Sequence, residues 1–375
     1  MELRFTKEQE ELRQAVRYFA ETEVAPAATM MELTDEFPYE LVNRMAQIRL
    51  MGIPVAKQWG GAGSDFISYI IAVNEISKIS AAAGVILSVH TSVGTLPILH
   101  FGTEEQRMKY VPKLASGEWL GAFALTEPGA GSDAASIRTS AVPEGDHYVI
   151  DGTKVFITNA GAAHTYIAFA ATDRGQGPRG ITAFIIDRDT PGFRIGRKEK
   201  KMGLHGSSTC ELIFDRMTVP IAQRLGEEGG GFAIAKASLD GGRIGIGAQA
   251  LGIAEAALQL AKNAMKPLNG SARVEPEHAR LADLAAQVEA ARLLVYRAAY
   301  MRQEGMPCTV EASTAKMFAS DTAVAAAGEA VRMLGAQGCT KELSAERLYR
   351  DAKVTQIYEG TNEIHRIVIG NRLLK

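Results

Sequence analysis

Cysteine is almost missing from this chain: Cys210, Cys308 and Cys339 are the only three among 375 residues, and none stands in a C-x-x-C pair. So few, in an odd number, exclude a disulfide framework and a thiolate metal site, and they fit a reducing compartment. An excess of one charge is missing as well. The 41 Lys and Arg residues are balanced by 43 Asp and Glu, a net charge of −2, so nothing global draws the chain onto nucleic acid. No H-E-x-x-H, P-loop or G-x-S-x-G segment occurs, and the seven histidines are scattered. Zinc hydrolysis, P-loop phosphoryl transfer and the serine-hydrolase elbow therefore lack their markers, and no metal is expected. The N-terminus enters a charged amphipathic segment rather than a basic cap and apolar core, so no secretory signal is expected and the location reads as cytoplasmic.

Residues 79–103 carry no Asp, Glu, Lys or Arg, over more than the roughly 20 residues that span a bilayer. Ser80, Ser88, His90, Thr91, Ser92, Thr95 and Pro97 interrupt the run, and lipid would leave their polar groups unsatisfied. The run reads as a buried helix that lines something polar, with no membrane insertion.

What is present is a soluble-type composition, 46% hydrophobic and 22% charged, at a length two to three times that of an ordinary domain. Thr6 with Gln9 forms a capping box, after which Leu12, Val16 and Phe19 share a helix face. Helical patterns continue through 39–51, 65–89 and 104–114, with a glycine-rich turn at Trp59 to Gly63. From Gly121 the chain changes to short apolar runs at 122–125, 147–150, 155–158, 166–171, 181–186 and 210–214, and Asp151-Gly152 is a tight-hairpin signal between two of them. An antiparallel β unit is expected. Beyond the glycine-rich segment 226–231, an Ala- and Leu-rich helical period returns at 232–265, 276–304 and 310–334. The expected fold class is α+β, with an N-terminal helical domain (1–120), a central antiparallel β domain (121–228) and a C-terminal four-helix-type bundle (229–375). The run Gly245-Ile246-Gly247 to Gly252 follows a helical pattern rather than a strand, so it reads as close helix packing, not a dinucleotide turn.

Two segments can carry chemistry. Leu125-Thr126-Glu127-Pro128-Gly129-Ala130-Gly131-Ser132-Asp133 leaves a strand in a loop whose glycines expose backbone amides and whose ends carry hydroxyls, a cradle for a planar or anionic cofactor. In Tyr358-Glu359-Gly360-Thr361 a carboxylate follows apolar residues beside a glycine that leaves room for a ligand, which suits a general base with a raised pKa. Taken singly, each has a plainer reading as a turn or a cap.

Together these segments resemble the acyl-CoA dehydrogenase family along essentially the whole chain. The likeness extends to Lys154 through Asn159, Lys201-Met202-Gly203, Cys210 through Phe214, Leu239-Asp240-Gly241-Gly242-Arg243 and Leu348 through Thr361. It is similar to the short-chain and branched short-chain members. The resemblance implies FAD between the β unit and the bundle, touched by Phe123, Leu125, Thr126, Gly131, Ser132, Phe156, Thr158, Thr361 and Glu363. It implies an acyl-CoA on the far side of the flavin, contacted by Ser132, Asp240, Arg243 and Gly360, with Glu359 as the base that takes the α proton while the β hydrogen leaves as hydride. The product is then a trans-2-enoyl-CoA, the electron acceptor an electron-transfer flavoprotein and the assembly a homotetramer, a dimer of dimers. Some relatives place their base one residue before the Arg of Asp-x-x-Arg; here that residue is Gly242, so Glu359 is the family-position candidate. Without an Arg or Lys in 81–99 to pair with a distal carboxylate, a short- to medium-chain monocarboxylic acyl group is expected.

The family pattern breaks at three places. The Arg-x-x-Phe-Gly positions, whose Arg reaches a neighbouring subunit's FAD pyrophosphate in relatives, are Ala264, Pro267 and Leu268. Gln-x-x-Gly-Gly reads Arg332-Met333-Leu334-Gly335-Ala336, and His205 stands where Arg is common. The altered FAD contacts keep a non-catalytic scaffold of the same fold in view, and within enzymes an acyl-CoA oxidase, which lets oxygen reach the reduced flavin, is the alternative. Arg332, with Gly335, is the expected substitute contact to the pyrophosphate, since a guanidinium pairs with its oxygens from either point. Arg332→Ala should lower the flavin content of the purified protein; unchanged content and affinity would reject this role.

Overall fold

A computed structural model describes residues 4–265 and 275–374. Helix α1 (Lys7–Phe19) begins at the expected capping box, with Gln9 and Thr6 exchanging bonds. A π turn at Ala20–Val24 passes the chain into α2 (Ala25–Thr34). Helix α3 (Tyr39–Gln47) stops short of the expected end at 51, where a 3-10 turn takes over. The stretch expected as one helix over 65–89 is two, α4 (Phe66–Ile79) and α5 (Ala81–Val89). Ser80 separates them: its backbone is extended, and its hydroxyl accepts from the Ala83 amide and caps the second helix. A π segment (His90–Thr95), α6 (Leu96–Phe101) and α7 (Glu104–Ser116) complete the first unit.

The uncharged run after Ile79 is buried inside protein. Several of its polar groups find internal partners: Ser92 Oγ donates to Ser88 O, and Thr95 Oγ1 to His90 O, while Thr91 Oγ1 has none. His90 Nδ1 accepts from the Gly121 amide at 3.1 Å while Nε2 donates to Leu114 O at 3.0 Å, and burial pushes its pKa down to about 4, so the ring is neutral. Ala81–Phe101 and Gly231–Met265 have the length and apolarity of membrane spans, yet both are mostly enclosed by the fold.

The central sheet contains β1 (Gly121–Ala124), β2 (Ser140–Glu144), β3 (His147–Thr158), β4 (Thr165–Ala171), β5 (Ile181–Asp187), β6 (Phe193–Lys198), β7 (Thr209–Pro220) and β8 (Arg224–Leu225). The order is β6-β7-β3-β2-β4-β5-β8, with β1 alongside β4. The antiparallel expectation needs correction, because β1 and β2 both run parallel to β4. Asp151-Gly152 is also not a hairpin turn. The turn is Gly145-Asp146, and β3 runs straight through 151–152, where β7 bulges opposite it and Asp151 Oδ1 accepts the Arg216 amide. Alternation along β4 divides the core: Ile167 and Phe169 face the helices, while Tyr166, Ala168 and Ala170 form a second core on the other face.

Helix α8 (Gly231–Met265) crosses the molecule and packs on α4, α9 (Glu275–Gln303) and α10 (Thr309–Leu334). Helices α11 (Ala345–Thr355) and α12 (Asn362–Leu373) close the C-terminal unit. The facing sides of α8 and α10 are built from alanine and glycine, which brings the backbones close. At Gly252 an added Cβ would lie 2.7 Å from Asn74 O and 3.0 Å from Lys78 N, so the close-packing reading of Gly245–Gly252 holds. Those neighbours are backbone atoms and cannot swing away. Gly252→Ala should therefore cost about 1–3 kcal/mol through overpacking; an unshifted denaturation midpoint would contradict the close approach.

Candidate active site

A cavity of about 340 Å³ opens where the β unit, α8 and the turn between α11 and α12 meet. Of the expected site residues, Phe123, Leu125, Thr126, Gly131, Ser132, Phe156, Thr158, Arg243, Glu359 and Gly360 line it. Asp240, Thr361, Glu363, Arg332 and Gly335 are not on its wall. Thr361 instead caps α12 through the Ile364 amide, and Glu363 is an exposed residue in the first turn of that helix. The guanidinium of Arg332 bonds Glu277 and Glu329 of its own chain, and Gly335 ends α10. Pro267 and Leu268, two of the altered family positions, lie outside the described residues.

The loop after β1 is held from below. Glu127 and Ala130 exchange backbone bonds, each 3.1 Å, which folds Glu127 to Ala130 into a tight turn. The Glu127 carboxylate accepts the Thr139 amide at 3.0 Å and the Lys154 ammonium at 2.8 Å, and Lys154 also donates to Leu125 O. Lys154 is wholly buried. Burial pulls its pKa down to about 8 against the pull of Glu127; for Glu127, burial works upward but the lysine charge and the hydrogen bonds win, leaving it below the ordinary value. Neither residue reaches the cavity. Their role is to present the open faces of Gly129 and Gly131, where an added Cβ would meet nothing.

Phe156 sits at a bulge in β3, two residues of that strand standing against one of β7 between Lys154 and Ile157. Its φ is +57°, a conformation that costs a bulky residue roughly 1–3 kcal/mol, and the residue remains 62% exposed on the cavity wall. The hydroxyls of Thr126, Ser132 and Thr158 bond no other described residue. An open aromatic face, unpaired hydroxyls and glycines with free faces fit a planar cofactor that carries polar edges.

Glu359 and Gly360 are consecutive left-handed residues, φ +55° and +96°, between the end of α11 and the Thr361 cap. The turn delivers the carboxylate to the side of α8 at Gly242, where an added Cβ would stand 2.7 Å from Oε2. Gly242 is therefore more than a position without a base: its missing side chain is the space the carboxylate occupies. Oε2 is sealed from solvent and has no hydrogen-bond partner. Burial raises the Glu359 pKa to about 7, with Arg243 and Lys316 drawing it down. Arg243 is tied to Asp240 at 2.9 Å, and Asp240 accepts from Thr309 at 2.6 Å. On the other side, the Tyr358 hydroxyl donates to Gln249, whose amide donates to Ala81 O.

Three family models cover the chain: the N-terminal domain of acyl-CoA dehydrogenase at residues 6–118, the middle domain at 122–217 and the C-terminal domain at 229–374. The chain belongs to the acyl-CoA dehydrogenase family. It is 58% identical over 376 residues to an acyl-CoA dehydrogenase of Bacillus subtilis (strain 168), covering 98% of each chain. It is 50% identical over 379 residues, the whole of both chains, to the short-chain specific acyl-CoA dehydrogenase of Clostridium acetobutylicum. The solved structure of butyryl-CoA dehydrogenase from Megasphaera elsdenii superposes with a TM-score of 0.97 at 45% identity, each chain fully covered. FAD is the cofactor of this family, and the open wall described above suits it.

Sequence reasoning passed over Lys316 and the part played by the Glu127–Lys154 pair. Lys316 shares a helical face with Ala312, Ala319 and Ala323, and a lysine on an apolar face was the available signal. Lys154→Met would leave the Glu127 carboxylate buried without its cation, a loss of roughly 3–5 kcal/mol that a denaturant titration would read. In the parent the carboxylate's contribution is complete above its ordinary value of 4.5 and disappears as pH falls through the lowered one. A variant as stable as the parent at pH 7 would refute the anchoring role.

Proposed function

We propose that this chain catalyses the FAD-dependent α,β-dehydrogenation of a short- to medium-chain saturated acyl-CoA to the trans-2-enoyl-CoA, with Glu359 as the base. The observation that carries this reading is the unpaired Oε2 of Glu359, sealed at the wall of a cavity that the open glycine loop and Phe156 also line. When bound, FAD supplies a hydride acceptor at flavin N5.

The chain's own residues supply the remainder. The hydrogen α to a thioester is weakly acidic, so its removal needs a base whose strength is close to the working pH. Burial gives Glu359 that strength, and the nearby cations keep a useful fraction ionised at neutrality. Fixing the carboxylate in a left-handed turn against Gly242 limits where the proton can be taken, and positioning of this kind supplies much of the rate. Ser132, Arg243 and Gly360 stand on the wall where an acyl-CoA would pass, and Val89, Val93 and Ile246 give it an apolar surface for a short chain. No cation other than Arg243 and Lys236 lines the cavity among the described residues, which favours an uncharged acyl tail.

The electron acceptor is an electron-transfer flavoprotein and the assembly a homotetramer. Exposed Ile367, Leu373 and Leu374 on and beyond α12 support burial against other copies. The free thiols of Cys210, Cys308 and Cys339 support the cytoplasm, and the change of element type near 120 and 229 supports the three-domain division.

Glu359→Gln should retain FAD yet slow enoyl-CoA formation by a factor on the order of 10²–10⁴; flavin bleaching by butyryl-CoA at the parent rate would sink the assignment. Since only the ionised carboxylate can accept the proton, kcat/KM should fall as pH drops through about 7. A profile flat from pH 6 to 8 would contradict the raised pKa.

A further inference from the structure

We propose that Lys316 is the positioning residue of the base: it holds the left-handed Glu359–Gly360 turn through the Gly360 carbonyl and sets a free positive charge behind the carboxylate. This rests on the assignment of Glu359 as the base. The Lys316 side chain is fully buried on α10 and comes from 43 residues earlier in the chain than Glu359. Its Nζ donates to Gly360 O at 2.7 Å and to Asn362 Oδ1 at 2.9 Å. The Asn362 amide group in turn donates to Ser320 Oγ at 2.9 Å and to Asp321 Oδ1 at 2.8 Å, which orients its oxygen toward the lysine. One ammonium thus grips the turn on both sides of Thr361. A left-handed glutamate persists only where its surroundings over-determine it, and this grip is one of those determinants.

The charge is a separate matter from the grip. A neutral amide could donate the same two bonds, and burying an ammonium costs several kcal/mol. Both partners of Lys316 are uncharged oxygens, and among the described residues it forms no ion pair within 4.0 Å. Arg243, the other and stronger cation acting on Glu359, is paired with Asp240 at 2.9 Å through Nη1, while its buried Nε has no partner. Glu359 is likewise a carboxylate without a direct partner. Lys316 and Glu359 act on one another electrostatically while the lysine bonds the carbonyl of the residue next to the carboxylate.

The remaining groups around them do not replace this arrangement. From α4, Tyr69 keeps its proton, burial pushing its pKa up to about 12. From α12, His365 lies under Gly360 and is neutral, burial and the nearby cations lowering its pKa to about 3, while exposed Glu363 acts on Lys316 from the same helix. From α10, Asp321 favours the charged lysine but is bonded to Asn362, Gln356 and Arg366. Burial lowers the Lys316 pKa to about 7, opposed first by Glu359 and then by Asp321.

The test compares Lys316→Met, Lys316→Gln and Glu359→Gln holoenzymes by flavin content, kcat and the pH dependence of kcat/KM for butyryl-CoA. Lys316→Met should bind FAD, lose at least 10-fold in kcat, and move the acid limb up by about one pH unit, because an opposite charge near a carboxylate favours its ionised form. Lys316→Gln keeps donors for Gly360 and Asn362, so it should recover part of kcat while the limb stays displaced. If the Met variant does not fold, the Gln variant decides by its limb alone. A parent-like limb in a flavin-loaded Lys316 variant, with Glu359→Gln inactive, overturns the role of Lys316 and leaves the base assignment standing. Parent-rate turnover by Glu359→Gln overturns both.

Discussion

The structure turns on one uncompensated carboxylate. The Oε2 of half-buried Glu359 is sealed from water without a hydrogen-bond partner, and the residue is fixed in a backbone conformation that an L-residue avoids. Such a group is unfavourable for stability, and its environment limits the cost without cancelling it. Arg243 and Lys316 lie close enough to moderate the pKa but do not form a salt bridge with it, since a direct bond would make the oxygen a poor acceptor for a proton. Gly242 contributes by having no side chain at all.

Everything that meets at this carboxylate arrives from a different part of the chain. The β unit presents its glycine loop and Phe156 because a buried ion pair, Glu127 with Lys154, holds the loop and a bulge turns the phenyl ring outward. The helical units reach the same point because α8 and α10 approach closely on small side chains, which lets a lysine of α10 reach the turn after α11. Close packing and catalysis share one requirement here: at Gly242 and Gly252 the absence of a Cβ decides what can come near.

Much of this was legible from residue order. The helical, β and helical periods, the Thr6 capping box, the burial of the uncharged run after Ile79 and the cavity placement of Thr126, Ser132, Phe156 and Glu359 all follow local patterns that the fold preserves. The errors have physical causes. Asp151-Gly152 has the composition of a turn, but a partner strand bulges opposite it, so the glycine serves a continuous strand. The antiparallel expectation failed because β1 returns beside β4 through a pairing that no adjacent turn signals. Asp240 lies off the cavity wall, where its own helix supplies Arg243 one turn away and α10 supplies Thr309.

By itself the sequence determined the family, the order of the three units and the candidate for the base, because motif spacing and hydrophobic period are local properties of a chain. Tertiary structure alone decided the surroundings of that carboxylate and which lysine bonds its turn. A carboxylate's pKa depends on what lies within a few ångströms of it, and Arg243 and Lys316 come into that range only when α8, α10 and the turn before α12 pack together.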